Sequence, residues 1–247
     1  MENIYIPHLS VDCVLFRFHK SKMQVMLVHR EKVDGENPTI HSGILKLPGR
    51  LIYEDEFLED AASSIVREII GNQPIHLQQF QVFGNPNRIQ YPNDLVWLQT
   101  QTNLPIKRVV TIAFYALITT EEELLSPILK IHKAQWINVE NAKKLAFDHD
   151  EIVREAYAHL KKELTISPLE FKLLPDYFTL NSLQELYEVI LNQKFDNRNF
   201  RKKIRKLPYL ERSNKKEEYV THRPAKLYRF NPHKYEENQR ELRLFFL

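Results

Sequence analysis

FKLLPDYFTLNSLQELYEVILNQKFDNRNFRKKIRKLPYLERSN, Phe171 to Asn214, carries two helical patterns of different character on either side of a turn. In SLQELYEVILNQ (Ser182–Gln193), Leu183, Leu186, Tyr187 and Ile190 share one face. KFDN then reads as a turn. Its Asp196 is suited to N-cap the next helix, NRNFRKKIRKL, by accepting a bond from the first free backbone N–H groups. There Phe200, Ile204 and Leu207 form a single stripe for burial, and Arg198, Arg201, Lys202 and Arg205 lie off it. YLERSNKKEEYVTHRPAKLYRFN, Tyr209–Asn231, follows as two short strands around a charged turn.

Helix, turn, basic helix and β-ribbon is the order of a winged helix-turn-helix, and the charge balance agrees. Between Lys194 and Arg229 there are 13 Lys/Arg and 4 Asp/Glu, a balance of +9, although the chain of 247 residues carries only +3. A basic segment behind a neutral-to-acidic front half points to an anionic partner for the back half. In the basic helix, Asn197, Arg198 and Asn199 at its start are candidate base readers, while Arg201, Lys202 and Arg205 are candidate phosphate contacts. Lys215, Lys216 and Arg223 are the corresponding candidates in the wing. Leu186, Tyr187, Phe200, Tyr228 and Phe230 are expected in the core instead.

Ahead of this segment the chain reads as strands with one helix. VDCVLFRF and MQVMLVHR flank the polar HKSK as a hairpin, and LQQFQVFG, RVVTIAFYALI and AQWINVE are further strands. NPNRIQYPNDLVWLQTQTNLPIK is polar, holds three prolines and reads as a long loop. HDEIVREAYAHLKKEL is an amphipathic helix leading out of the domain. These patterns divide the chain into a front domain over 1–147, a linker helix over 148–164, a winged-helix domain over 165–232 and a tail over 233–247. The single cysteine, Cys13, allows no internal disulfide. The longest apolar run is far short of the ~20 residues needed to cross a bilayer, and the N-terminus lacks a signal peptide's pattern. The expectation is a cytoplasmic protein with no membrane partner and no cofactor.

GILKLPGRLIYEDEFLEDAASSIVREIIG, Gly43–Gly71, is similar to the signature of the Nudix hydrolases, G-x5-E-x7-R-E-U-x-E-E-x-G-U with U aliphatic. That family's loop and helix present glutamates to metal ions on a nucleoside diphosphate derivative, because a hard divalent cation needs several oxygen ligands. In one register Glu56 takes the first glutamate position, Ser64 the arginine, Ile65 the next glutamate, and Glu68 and Ile69 the final pair. In the other, Glu59, Arg67, Glu68 and Ile69 spell E-x7-R-E-U, and Gly71 and Asn72 fall on the pair. Either way Glu68 alone survives at the metal face, with Glu56 as a further residual carboxylate, so no bound metal and no hydrolase activity are expected.

LLP before FTL, LQELYE, DNRNFRKKI and RPAKLYRF, in order behind such a domain, resemble the Nudix-related transcriptional regulators. The resemblance implies an α+β protein: a Nudix α/β/α sandwich followed by a winged helix-turn-helix domain. It implies a regulator, with repression of transcription as one mode. A catalytically degenerate Nudix domain would sense a metabolite, an ADP-ribose-like nucleotide or a sugar such as arabinose. A homodimer would then bind double-stranded operator DNA. Candidate effector ligands are Arg30, Lys46, Arg50 and Arg108, which could neutralise a diphosphate, and Asp12, a carboxylate in an apolar strand able to accept from sugar hydroxyls. Tyr53, Phe57 and Phe83 are candidates for stacking a nucleobase. The alternative reading is an active Nudix pyrophosphatase that cleaves a nucleoside diphosphate derivative with Mg2+.

Overall fold

The structure, a computed structural model, describes residues 4–30, 45–73, 75–89, 91–119, 133–164, 167–217 and 224–242. The chain divides into two compact units: residues 1–17 with 24–159, and 18–23 with 160–247.

β1 (Tyr5–His19) and β2 (Lys22–His29), which lie mostly in the first unit, are joined at Lys20 and Ser21. Both joining residues take positive φ, 48° and 56°, as a tight hairpin turn requires. β3 (Leu45–Lys46) and β4 (Gly49–Tyr53) precede α1 (Leu58–Ile70); β5 (Gln78–Phe83), α2 (Pro92–Thr102), β6 (Val110–Leu117) and β7 (Ala134–Asn138) follow. Among the described residues the sheet runs β3-β2-β1-β6-β5, with β4 paired to β1 and β7 to β2. β1 and β6 are parallel, from Leu9 opposite Val110 to Phe16 opposite Leu117.

Strand alternation sorts β1 into two faces. Val11, Cys13 and Leu15 share a core with Ala61, Ala62, Ile65, Val66 and Ile69 of α1. On the other face, Phe16 meets Tyr157 of α3 (His149–Glu163), and Tyr115 of β6 meets His159, with ring centroids 6.0 and 5.4 Å apart. Helices therefore cover both faces of one mixed sheet, an α/β/α sandwich. The helix expected as a linker straddles the division between the units, since its first eleven residues, 149–159, belong to the sandwich.

One correction concerns the expected long loop over 85–107, which holds α2. Pro92 sits in its first turn, where its missing N–H costs nothing, and Asn103 closes it in the left-handed conformation.

The second unit opens with a 3-10 turn, Leu169–Leu173, and β8 (Phe178–Thr179). α4 (Leu180–Leu191) starts at a capping box in which Thr179 and Ser182 each accept from the other's backbone N–H. Asp196 caps α5 (Asn197–Ile204) by accepting from Asn199 N at 2.8 Å. In the turn between them, Glu188 accepts from Gln184 Nε2, Phe195 N and Lys194 Nζ at 2.9, 3.0 and 2.7 Å. β9 (Leu210–Lys216) and β10 (Lys226–Phe230) form the wing, in a sheet ordered β8-β10-β9. The expected tail begins as a helix, α6 (Pro232–Leu242), whose Tyr235 ring packs on Tyr209 and Phe230. Phe171 stacks on Phe230 with centroids 4.5 Å apart. Among the described residues, no helix is long and apolar enough to cross a membrane.

Candidate effector cleft and nucleic-acid interface

The sandwich holds a cavity of ≈ 200 Å³ on the α3 side of the sheet. Its floor is Asp12, which is buried at 5% exposure. The carboxylate accepts from the Thr111 hydroxyl at 2.6 Å, with His149 Nε2 3.6 Å and Arg88 Nη2 3.9 Å away. Asp12 is thus not an exposed strand start; its burial is offset by a donor and two facing nitrogens.

Lys46 also lines the cavity. Its Nζ donates to the carbonyls of Leu47 and Gly49, both at 3.0 Å, and lies 5.6 Å from the centre of the Trp97 ring. Burial pushes its pKa down, which the Asp12 carboxylate partly opposes. His149 accepts from Leu47 N through Nδ1 at 2.8 Å, which leaves the proton on Nε2. Burial holds its pKa down at about 4, so the ring is neutral near pH 7.

Arg50 lines the cavity edge, stacked over Tyr53 at 4.4 Å and paired with both oxygens of Glu56. Glu56 is therefore committed to an internal ion pair, and the bond from Arg50 holds its pKa below the usual carboxylate range. In α1, Ile65 and Ile69 are buried in the core and Glu68 is exposed. Among the described residues, no group of three or more His, Cys, Asp or Glu side chains is placed to hold a metal ion. Among the described residues, the signature positions of α1 offer Glu68 where a Nudix metal centre needs several carboxylates.

Two cations expected at the effector site are elsewhere. Arg30 is fully buried and its Nε is 3.1 Å from Asp94 Oδ1; its charge is spent inside the fold. Arg108 lies outside the cavity lining and donates to Gly84 O at 2.8 Å. The stacking candidates also move: Phe57 is 76% exposed, Phe83 is buried, and neither lines the cavity.

Sequence reasoning missed Arg88, Trp97, Phe147 and His149, all of which line the cavity. Trp97 comes from α2, which Asp94 anchors by pairing with Arg30 and by accepting from Phe147 N at 2.6 Å. The usable signal was Asp94 among apolar residues, a buried acid in need of partners.

In the second unit, Phe200, Ile204 and Leu207 are buried, as the spacing requires. Asn197, Arg198, Asn199 and Lys202 on α5 and Arg205 just past its end are exposed, and Lys203 and Lys206 add to them. Arg201 is half-buried and donates to Asn181 Oδ1 at 2.6 Å, so it is tied to the start of α4. Lys215 of β9 is exposed, its Nζ 4.1 Å over the Tyr177 ring. The Lys216 side chain and Arg223 lie outside the described residues.

Fold and site together define a class, a Nudix-like sandwich joined to a winged helix-turn-helix that presents a basic helix. Residues 170–230 match the family model of the NrtR DNA-binding winged helix domain. The chain as a whole is similar to the Nudix-related transcriptional regulators. It is 27% identical over 236 residues to the "ADPR responsive transcriptional repressor NtrR" of Acinetobacter baylyi, covering 94% of this chain and 85% of the relative. It is similar to the crystal structure of Shewanella oneidensis NrtR complexed with a 27mer DNA, at a TM-score of 0.68 and 26% identity. That match covers 92% of this chain and 95% of the other. A MutT/nudix family protein from Enterococcus faecalis shares the fold at a TM-score of 0.58 and 21% identity, over 91% and 88% of the two chains.

Proposed function

We propose that this chain is a transcriptional repressor that binds operator DNA as a homodimer through α5 and the wing, and is released by an ADP-ribose-like nucleotide in the sandwich cavity. The observation that carries this reading is the exposed basic face of α5, in a chain similar over nearly its whole length to a regulator crystallised on DNA. Asn197, Arg198 and Asn199 are the proposed base readers, with Lys202, Arg205 and Lys215 on phosphates. Arg201 acts more as a brace between α4 and α5.

The cavity supports a nucleotide over a bare sugar. Asp12 is an acceptor for ribose hydroxyls, Lys46 and Arg88 are cations for phosphates, and Trp97 and Phe147 offer aromatic surface. The relative's name adds ADP-ribose responsiveness to this reading. A pentose alone would leave the cations and the indole without ligand partners. Hydrolysis is not part of the proposal, because the α1 face that would hold metal carries Ile65 and Ile69.

Electrophoretic mobility shifts on the DNA upstream of the chain's own gene, with ADP-ribose, arabinose or neither, test the reading. The expected result is a retarded band that ADP-ribose removes and arabinose leaves. No retardation at low salt, or release by arabinose alone, overturns it.

A further inference from the structure

Asp148 stands immediately before α3, and it holds Arg88 from the side. Arg88 Nε reaches Asp148 Oδ2 at 3.0 Å and Oδ1 at 3.2 Å, and Nη2 reaches Oδ1 at 2.7 Å. A guanidinium has two edges able to face an oxyanion. Asp148 takes the Nε–Nη2 edge, so the Nη1–Nη2 end is the edge through which Arg88, a cavity-lining residue, can meet a second anion. Asp12 Oδ2 is 3.9 Å from Nη2, beyond hydrogen-bond length.

The neighbours of Asp148 are tied to the cavity walls as well. Phe147 N donates to Asp94 of α2, and His149 Nδ1 accepts from Leu47 N. Three successive residues at the start of α3 are thus each bonded to a different part of the cavity. α3 runs on to Glu163, so one continuous helix contributes residues to both units.

We propose that Arg88 and Asp148 form a relay, in which a ligand phosphate on the open edge of Arg88 resets Asp148, the start of α3, and through that helix the affinity for DNA. The inference rests on the reading that the cavity takes a phosphate-bearing nucleotide. Arg88 is the ligand-binding member, and Asp148 is a positioning residue that touches no ligand. Because one guanidinium bonds both anions, a phosphate that draws Arg88 toward the cavity must loosen or re-aim the bond to Asp148. A ligand shifts an equilibrium only through such a difference between two states.

The test uses the full chain, ADP-ribose as probe and a fluorescent operator duplex. DNA affinity is measured without ligand and at saturation, and their ratio is the coupling factor. Ligand affinity is measured separately by calorimetry. In the parent the expected factor lies in the range of about 5–150-fold common to allosteric coupling. Asp148→Asn keeps the side-chain volume and is expected to bind ADP-ribose within about threefold of the parent, with a coupling factor near one. An undiminished factor in Asp148→Asn overturns the relay. So does a loss of ligand affinity in step with the coupling, which is what a merely structural pair gives. Should Asp148→Asn fail to fold, Arg88→Lys keeps a cation for phosphate but cannot hold two anions edge-on. It is expected to bind more weakly and, at saturation, to leave DNA affinity unchanged; release as in the parent overturns the relay. A parent that does not bind ADP-ribose overturns the functional reading and the relay together, whereas a relay failure alone leaves parental binding and release intact.

Discussion

Gly49 lies directly against the carboxylate of Asp12. A Cβ placed on it would collide with that carboxylate and stand 2.7 Å from the Val11 carbonyl oxygen. β1 and β4 pair here, Asp12 opposite Gly49, so neither strand can give way cheaply.

Gly49→Ala is therefore expected to push Asp12 from its bond to Thr111 and spoil the cavity floor. ADP-ribose affinity should fall at least about tenfold, equivalent to ~1.4 kcal/mol. The melting temperature of the first unit should fall as well, because small-to-large changes in packed sites typically cost ~1–3 kcal/mol. Calorimetric titration and a thermal melt check both; unchanged affinity would show that the floor is not used.

Hydrolysis of ADP-ribose to AMP and ribose 5-phosphate with Mg2+ or Mn2+ is expected to stay at background. Among the described residues, exposed Glu68 belongs to no group of three or more metal-ligating side chains, and Glu56 is bonded to Arg50. Turnover of ~1 s⁻¹ or more, within the ordinary enzyme range, that Glu68→Gln abolishes would restore the hydrolase reading.

The recognition helix divides by position. Lys202→Ala is expected to weaken binding to all duplexes alike and reduce the salt slope by about one. Arg198→Ala or Asn199→Ala should cost about 1–3 kcal/mol on operator and little on scrambled DNA. Phe200→Ala, which removes a buried ring, controls for loss of folding. Equal operator preference in Arg198→Ala, Lys202→Ala and parent would exclude this helix as the reader.

The two units are expected to respond to pH with opposite signs. Glu170 is buried under Tyr187, whose hydroxyl donates to it at 2.6 Å, and burial raises its pKa to about 7. An acid raised in the folded state favours folding fully below its unfolded pKa and loses that contribution as pH climbs through the raised value. The second unit should thus lose stability between about pH 4.5 and 7, by at most ~3 kcal/mol. Glu170→Gln should remove the slope. His149 is depressed to about 4, so the folded sandwich resists protonation that the unfolded chain accepts. The first unit should lose stability as pH falls from about 6.5 toward 4. Denaturant melts at several pH values, followed separately by Trp fluorescence for the first unit, test both slopes.

The winged helix was readable because its signals are local: Asp196, Phe200, Ile204 and Leu207 act within a few residues of one another. The sandwich strands were readable from β-branched runs for the same reason. Helix α2 was hidden because only Asp94 of its residues is buried, leaving no apolar stripe, and Pro92 looked like a breaker when it was a starter. The cavity was half-legible. Asp12 stood out as a charge in an apolar strand, but Arg88 and His149 face it from distant parts of the chain, and Arg88 is held in turn by Asp148, 60 residues further on. Arg30 and Arg108 were surmised from charge alone, and charge does not say whether its counter-ion is inside the fold or arrives with a ligand.

The turn between α4 and α5 has a bearing on binding kinetics. Glu188 collects donors from the helix before the turn and from two residues within it, and these bonds hold its pKa at about 2. Glu188 therefore ties the turn back to α4 and restrains the angle between scaffold and reading helix in the free protein. A turn restrained in this way has less conformational entropy to lose when DNA arrives, and preorganisation of this kind conserves affinity that ordering would otherwise consume. Docking of α5 is accordingly expected to proceed as a rigid encounter, its rate set by electrostatic steering from the basic face and falling with added salt.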